Sequence, residues 1–236
     1  MEFVRISAIL GAGLAMGLGA IGSAVGEGLI ASKAIEALGR QPRAKNKLLR
    51  LMLIGQAVAE TASIFALVVA LILVFQKAGN FGFEKGFCFI AAGLAMGLGT
   101  IGSGAGAGLP GSAACEGVGR QPGNADILIF HMLIGQAVSQ TACIFALTIS
   151  LILIISNPGQ GIYAIFSTLG AGIAMGFGAI GPGMGSGTVA RFANLAVGRN
   201  PRELTILTRT MLIGQAVTET TSIYSAVIAL ILIFVV

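Results

Sequence analysis

Charge is scarce in this sequence. Charged residues make up 10% of its 236 residues, hydrophobic residues make up 56%, and there is no tryptophan. A soluble domain would carry about 25% charged residues, so the composition excludes that class and indicates a membrane protein. The net charge of +5 does not indicate nucleic-acid binding, because the basic residues are confined to loops between apolar segments.

Cysteine is scarce as well. The three cysteines, Cys88, Cys115 and Cys143, are unclustered and lie within apolar segments. This pattern indicates neither a disulfide framework nor a metal site, and we interpret them as small packing residues. The phosphate-binding motif Gly-x-x-x-x-Gly-Lys-Ser/Thr is missing too, so we expect no nucleotide site, no cofactor and no catalytic site in the chain itself.

The sequence does contain a threefold internal repeat, with offsets of 80 and 79 residues. A glycine-rich block, a Gly-Arg-Gln-Pro block and a Leu-Ile-Gly-Gln-Ala-Val block each occur three times with small variations. We therefore expect three domains, 1–80, 81–159 and 160–236. The blocks occupy residues 13–19, 39–42 and 53–58 in the first copy, 93–99, 119–122 and 133–138 in the second, and 172–178, 198–201 and 212–217 in the third.

Each copy has the pattern of a transmembrane helical hairpin. Two apolar segments, each longer than the ~20 residues that cross ~30 Å of hydrocarbon, flank a polar loop. A glycine followed by a proline in that loop should end the first helix. The predicted fold is an all-α polytopic membrane protein with six spans, at 4–38, 48–76, 84–118, 126–156, 161–197 and 204–235.

The basic residues predict the orientation of the hairpins. Of the 14 Lys and Arg residues, eleven flank the three Arg-Pro loops, whereas Arg5, Lys77 and Lys85 belong to the other side. The positive-inside rule places the loops in the cytoplasm and both termini outside a multi-pass plasma membrane protein. The loop residues are Arg40, Gln41, Pro42, Arg120, Gln121, Pro122, Arg199, Asn200 and Pro201.

Glycine is abundant, at 36 residues. In the first helix of each hairpin the glycines are closely spaced, which makes a thin helix that its neighbours can approach closely. A ring with these helices on the inside satisfies that packing. An ordinary tight bundle is the alternative.

Three acidic residues lie inside the predicted spans: Glu27, Glu60 and Glu219. An ionisable group at that depth is costly and indicates function. Glu27 lies thirteen residues before Arg40 and Glu60 thirteen after Lys47, so both are roughly 20 Å from the loop at ~1.5 Å per residue. They can meet within one hairpin, share one proton and hold a cation with the remaining negative charge.

The residues around Glu219 predict how such a site is completed. Successive helical residues are ~100° apart, so Val217 and Tyr224 face away from their own glutamate. The same holds for Thr220 and Thr221. We expect these residues to complete the site of a neighbouring hairpin, so that each cation lies between adjacent hairpins. Their oxygen atoms favour a hard cation such as Na⁺, whereas a bare carboxyl would suit H⁺.

The middle hairpin differs from the other two. Gln140 stands where they have glutamate, and Ala107 stands where the first has Glu27. We expect Gln140 to be a non-transporting plug that hydrogen-bonds between helices. Three further polar residues are expected at the membrane interface, outside any ion site: Glu36, Glu116 and His131.

The repeated blocks resemble the ring-forming c subunit, or proteolipid, of rotary F-, V- and A-type ATPases. The glycine-rich first helix, the Gly-Arg-Gln-Pro loop and the Gly-Gln-Ala-Val-Ala-Glu-Thr stretch match that family over essentially the whole chain. The loop and the Gln56-Ala57-Val58 context are similar to the bacterial F-type line. The triplication and the loss of one carboxylate are similar to V- and A-type rings.

The resemblance implies a sodium-binding set. In sodium-binding members a helix-two glutamate, a helix-one Gln or Glu, a valine carbonyl and a Ser or Thr hydroxyl hold the cation, and a tyrosine steadies the glutamate. The implied residues are Glu60, Glu27, Val58 and Thr61 in the first hairpin, and Glu219, Val217, Thr220, Thr221 and Tyr224 in the third. The departures are Ser186 at the helix-one position, and Phe65 and Phe145 at the tyrosine position.

The resemblance also implies partners and a mechanism. Copies of the chain would form a ring in lipid, a stator a subunit would displace the cation with an arginine, and the Arg-Pro loops would contact the central stalk. One carboxylate in three is missing, so fewer ions move per turn. Since each charge costs ~2.3 kcal/mol per 100 mV, we expect an ATP-driven Na⁺ pump. The alternatives are a proton-specific ring of an ATP synthase, and an independent secondary transporter or channel, whose repeats are usually inverted.

Overall fold

The computed structural model describes residues 2–76 and 82–235. These residues form helices and short connections, with no strand among them, which confirms the predicted all-α class. Six helical stretches within this part of the chain are long and apolar enough to cross a membrane. Lys77 and most of the first connector lie outside the described residues.

The chain folds into three hairpins. The first hairpin consists of α1 and α2, the second of α3 with α4 and α5, and the third of α6 and α7. A short 3₁₀ turn that begins at a proline joins the two arms of each hairpin. The bounds are α1 Glu2–Arg40, α2 Lys45–Val74, α3 Phe83–Arg120, α4 Ala125–Ser139, α5 Thr141–Ile155, α6 Ile162–Arg199 and α7 Leu204–Phe234, with turns at Pro42–Ala44, Pro122–Asn124 and Pro201–Glu203.

Proline, not glycine, ends the first helix of each hairpin. Gly39 remains helical and α1 continues to Arg40, whereas Gln41 leaves the helical region at φ −134° and ψ 73°. The ring of Pro42 disfavours a helical conformation in the residue before it. The predicted stop by proline is therefore confirmed, whereas the cap conformation predicted for the glycine is wrong: among the described residues only Gly161 has a positive φ.

The second arm of the middle hairpin is a single span, as predicted at 126–156, because residues Pro122–Ile155 are together long and apolar enough to cross a membrane. The arm contains one turn residue, Gln140 at ψ −8°, between α4, which ends at Ser139, and α5, which begins at Thr141. The backbone N–H of Gln140 is shared between the carbonyls of Gln136 and Ala137, as in a locally tightened turn. This turn falls where the other hairpins carry glutamate.

The helices form two layers. In the first layer α3 lies between α1 and α6 and packs along both, while the second arms pack against the first helices of their own hairpins. Glycine makes the first layer possible, because a Cβ at Gly22 or Gly102 would overlap the backbone of Ile101 or Ile180 on the next helix. Such close approach supplies packing attraction where lipid provides no hydrophobic drive.

Two charged residues at the start of α3 make hydrogen bonds to the end of α5 and to the second connector, at the end of the molecule where the chain termini lie. Lys85, expected among the charges of the outer side, is only 3% exposed. Its Nζ donates to the carbonyl of Ile154 at 2.7 Å and to that of Ser156. Glu84 accepts a hydrogen bond from the N–H of Gly161 at 3.1 Å. α3 therefore caps the end of α5 and orders the second connector.

We expect Gly102→Ala to destabilise the protein. The new Cβ would lie 2.6 Å from the Cα of Ile180, and overpacking of this kind costs about 1–3 kcal/mol. Thermal unfolding in detergent measures the loss. Gly123→Ala is the matched control, because a Cβ there meets no atom within 4 Å; equal stabilities for the two variants would contradict the proposed packing.

Candidate functional site

The three hairpins place the site residue of their second arm in different surroundings. Glu60 on α2 is exposed, whereas Gln140 and Glu219 are 6% and 7% exposed. The two buried side chains point towards the hairpin that precedes their own. Within the described residues, no hairpin covers Glu60 in the way that the first hairpin covers Gln140.

Gln140 bridges the second hairpin to the first. Its Nε2 donates to the carbonyl of Val58 at 2.9 Å, and its Oε1 accepts from the Cys143 thiol at 3.2 Å. The backbone N–H of Cys143 donates to Ser103 Oγ at 3.1 Å. The amide is thus held by both hairpins and satisfied as donor and acceptor, which suits a neutral buried group.

Glu219 lies in a cluster of oxygen atoms between the second and third hairpins. Ser222 Oγ lies 3.1 Å from its Oε2, and its carboxylate also faces the hydroxyls of Thr141 and Ser186. Thr141 directs its own proton to the carbonyl of Val138 at 2.8 Å. Oε1 of Glu219 is buried and accepts no hydrogen bond within the described part of the chain. An oxygen-rich site around a buried carboxyl is suited to a hard cation, and a proton on that carboxyl would neutralise it as well.

Glu27 and Glu60 approach each other in the first hairpin, as their equal distances from the loop predict. Glu27 is half-buried and lies within electrostatic reach of Glu60. Gln56 Nε2 donates to the carbonyl of Glu27 at 3.3 Å, and Ser23 Oγ donates to the carbonyl of Ala59 at 2.9 Å. These bonds join α1 to α2 at the depth of the two carboxylates.

The remaining residues of the sodium-like set lie on another face. Val217, Thr221 and Tyr224 are exposed and Thr220 is half-buried, whereas Glu219 is buried. The helical spacing predicts this separation. In every hairpin the threonine after the site residue donates to the valine carbonyl before it: Thr61 to Val58 at 2.7 Å, Thr141 to Val138 at 2.8 Å and Thr220 to Val217 at 2.8 Å.

The glutamine of the Gly-Gln-Ala-Val block joins neighbouring hairpins, a role that the sequence alone does not indicate. Its repetition is visible, but an uncharged side chain in a span gives no sign of its partner. In the second and third hairpins the amide donates both to the first helix of its own hairpin and to a glycine carbonyl of the preceding hairpin. The bonds run from Gln136 Nε2 to Ala107 O and Gly55 O, both at 2.9 Å, and from Gln215 Nε2 to Ser186 O at 3.2 Å and Gly135 O at 3.0 Å.

His131 lies near the loop end of α4, as expected. The sequence does not indicate its burial: it is completely covered, and its ring lies beside the side chain of Asn194 on α6. Counting residues from the loop gives its depth but not the cover that a neighbouring hairpin provides. Glu36 and Glu116 do lie at the loop end, where each pairs with the arginine four residues later.

The three Arg-Pro loops lie at the same end of the molecule. Their arginines, Arg40, Arg120 and Arg199, are exposed. The first two loops are held together by the second arm of the first hairpin: Lys47 Nζ donates to Pro122 O at 2.9 Å, and Arg50 pairs with Asp126 at 3.1 Å. The loops therefore form one polar surface that a partner could contact.

Three windows of the chain, residues 10–73, 90–153 and 169–232, match the family of ATP synthase C subunits. Similar proteins include the ATP synthase c subunit of Alkaliphilus oremlandii, 51% identical over 76 residues that cover 32% of this chain and 85% of that protein. The ATP synthase c subunit of Natranaerobius thermophilus is 50% identical over 76 residues, 32% of this chain and 87% of that protein. The ATP synthase c subunit 2 of Cereibacter sphaeroides is 47% identical over 76 residues, which cover 32% of this chain and 92% of that protein.

Each relative corresponds to about one third of the chain, and the family windows cover most of it. The chain therefore belongs to the ATP synthase C-subunit family, in a form with three fused hairpins. The resemblance expected from the repeated blocks is confirmed.

We expect Gln140→Met to remove the bridge to Val58 and to cost roughly 1 kcal/mol, because the hydrogen bond to Val58 O and the weaker one from the Cys143 thiol are both lost. Gln140→Glu should cost more in the absence of Na⁺, since a carboxylate would face the Val58 carbonyl with no donor between them. Thermal unfolding in detergent compares them with Gln160→Met, a change at an exposed residue. If Gln140→Met is as stable as that control, the bridge does not contribute.

Proposed function

We propose that the chain is the rotor-ring subunit of a cation-translocating rotary ATPase, and that it carries Na⁺ on Glu60 and Glu219 but nothing on Gln140. The rotor-ring role follows from the family. The observation that supports the choice of ion is the oxygen cluster at Glu219, where one buried carboxylate oxygen accepts no hydrogen bond from the residues that the structure describes. One Na⁺ in that cluster would be coordinated by carboxylate and hydroxyl oxygens and would neutralise the charge.

Gln140 fits the role of a permanently neutral position. In a loaded site a cation would lie between a carboxylate and the valine carbonyl of the preceding hairpin. In the middle hairpin the side-chain N–H of Gln140 takes the place of the cation, because it donates to Val58 O. Such a position needs no ion and releases none, so it can pass through lipid unchanged.

Loading controls rotation through the cost of charge in lipid. An empty carboxylate at mid-membrane is unfavourable by several kcal/mol, whereas a carboxylate with its cation is neutral overall. A loaded site can therefore move past hydrocarbon, and an empty one stays in a polar path. We assign the release of the ion to an arginine of a stator a subunit, as the family resemblance implies.

The polar surface of the Arg-Pro loops is the proposed contact for the central stalk. Other subunits bind the ATP. The excess of basic residues around these loops favours a cytoplasmic location for them, with both termini on the outer side. With a second-arm glutamate in only two of its three hairpins, the ring moves fewer ions per turn, which suits ATP-driven pumping against a steep gradient.

A proton-specific ring is the second candidate, and the site at Glu219 supplies the observation in its favour. That site has Ser186 in place of a second carboxyl and Phe145 in place of a tyrosine, so a single proton on Glu219 would also neutralise it. An independent transporter is less well supported, because the three repeats run in the same direction and belong to a ring-forming family.

A hydrophobic carbodiimide, which reacts with protonated carboxyls, should label Glu60 and Glu219 in the assembled ATPase and stop ATP hydrolysis. Na⁺ should slow the labelling roughly tenfold at about ten times its Kd, because the bound cation replaces the proton that the reaction needs. Mass spectrometry of peptides measures the label at each residue.

The variants Glu60→Gln and Glu219→Gln should each lose only their own label, and Glu36→Gln is the matched control at the loop end. The double variant should lose the coupling of ATP turnover to cation movement. Persistent coupling would refute the proposal, and labelling that is indifferent to Na⁺ would identify the proton as the cargo.

A further inference from the structure

A buried network of hydroxyl and amide groups lies beside Glu219, between the second and third hairpins. Gln215, Ser186 and Ser139 are each 0% exposed. Gln215 Nε2 donates to Ser186 Oγ at 3.1 Å, in addition to its bonds to the backbone carbonyls of Gly135 and Ser186. Ser139 Oγ lies 3.4 Å from Ser186 Oγ, and Ser186 also faces the Glu219 carboxylate. Ser186 therefore connects the amide to the candidate ion site.

The directions of these hydrogen bonds follow from which atoms can donate. An amide nitrogen has two hydrogens and accepts none, so the hydroxyl hydrogen of Ser186 cannot point at Gln215. Ser139 donates its own hydrogen to the carbonyl of Gly135 at 2.9 Å, so it meets Ser186 with a lone pair. Among the described residues of this network, the hydrogen of Ser186 therefore has two acceptors, Ser139 Oγ and the Glu219 carboxylate.

The other hydroxyls around the carboxylate already donate to the backbone. Thr141 donates to the carbonyl of Val138 at 2.8 Å. Ser222 Oγ lies 2.7 Å from the carbonyl of Glu219, which is closer than the 3.1 Å to its Oε2. Among the hydroxyls described around this carboxylate, only that of Ser186 has a hydrogen that is not directed to a backbone carbonyl.

The lone pairs of Ser186 decide what its hydroxyl offers to the site. A serine oxygen has one hydrogen and two lone pairs, and one lone pair accepts from Gln215. When the hydrogen points to Ser139, the second lone pair is left for a cation at Glu219. When the hydrogen turns to Glu219 instead, it stabilises the empty carboxylate. Rotation about one bond thus converts the group from a ligand of a loaded site into a donor for an empty one.

The junction between the first and second hairpins has no hydroxyl at either position. Ala59 stands there in place of Ser139, and Ala107 in place of Ser186. Both alanines are completely buried. The site residue at that junction is Gln140, which needs no cation. Of the two internal junctions, the hydroxyl pair therefore occurs at the one whose site residue is a carboxylate.

The glutamines of the two junctions differ in one bond. Gln136 and Gln215 both donate to a glycine carbonyl of the preceding hairpin and to a backbone carbonyl of their own first helix. Among the hydrogen bonds of the described residues, only Gln215 donates to a side chain as well, the hydroxyl of Ser186. The shared bonds join the hairpins, and the additional bond reaches the site.

We propose that Gln215 and Ser139 are positioning residues for the cation site at Glu219. Gln215 holds one lone pair of the Ser186 hydroxyl and Ser139 accepts its hydrogen, so that the second lone pair faces the cation. The amide acts through Ser186 and does not contact the ion. This inference rests on the proposed function for the ion and for the carboxylate that carries it.

Ser186→Ala should raise the Na⁺ concentration needed for half-maximal protection of Glu219 against the carbodiimide by roughly two- to tenfold, because one polar contact is lost. Gln215→Met should raise it in the same direction, because the hydroxyl is no longer held. The protection of Glu60 should not change in either variant of the assembled ATPase. Mass spectrometry of the labelled peptides measures both carboxyls in one sample.

Gln136→Met is the matched control for Gln215→Met. It removes two bonds of the same kind between hairpins, so both variants should unfold at a lower temperature in detergent than the unchanged protein. Only Gln215→Met should alter the Na⁺ dependence at Glu219. If the two variants alter that dependence equally, the effect is a general loss of packing and the positioning role is refuted.

A double-mutant cycle tests whether the amide acts through the hydroxyl. In a Ser186→Ala background, Gln215→Met should add no further shift in the Na⁺ concentration, because no hydroxyl is left to position. Ser139→Ala should raise that concentration when Ser186 is present and have no effect when it is absent. Additive shifts would show that Gln215 and Ser139 act on Glu219 by another route, which overturns the inference.

The same measurements separate this inference from the proposed function. If Na⁺ protects Glu219 equally well in the unchanged protein and in Ser186→Ala, the inference is overturned and the proposed function stands. If Na⁺ protects neither Glu60 nor Glu219 in the unchanged protein, the proposed choice of ion fails and the inference fails with it.

Discussion

The structure depends on backbone contact between the glycine-rich first helices. Where Gly22 meets Ile101 and Gly102 meets Ile180, no side chain separates the helices. In a lipid environment such contact is a principal source of attraction between helices, and it also fixes their relative height. The polar contacts across each junction rely on that height, because a displacement by one residue would carry Gln140 away from the Val58 carbonyl.

Much of the fold could be predicted because the sequence repeats. Three copies of each block define three hairpins, and their apolar length defines six spans. The stop of the first helices was predictable, because proline cannot continue a helix, but the cap conformation expected at the glycine is not adopted, since Gly39 remains helical. The tightened turn at Gln140 was not predictable, because it arises from a local change in backbone hydrogen bonding that leaves no mark on hydrophobic periodicity.

The candidate site, too, could be predicted only in part from the sequence. Helical spacing correctly separates Glu219 from Val217 and Tyr224, and residue counting correctly brings Glu27 near Glu60. Neither method could show that Glu219 is buried against Thr141 while Glu60 is exposed, since this depends on which hairpin lies beside which. The glutamine bridges and the burial of His131 are also consequences of packing between repeats, and a single hairpin sequence contains no information about them.

Fusion of the hairpins into one polypeptide fixes the order of Glu60, Gln140 and Glu219 around the assembly. In the proposed ring, two hairpins that carry a cation would follow each other, and the hairpin with Gln140, which carries none, would come next. The angle between successive loadings would therefore alternate between one hairpin width and two. In the proposed ATP-driven pump, the resistance to rotation would then rise and fall with the same period, and the elasticity of the central stalk would even it out.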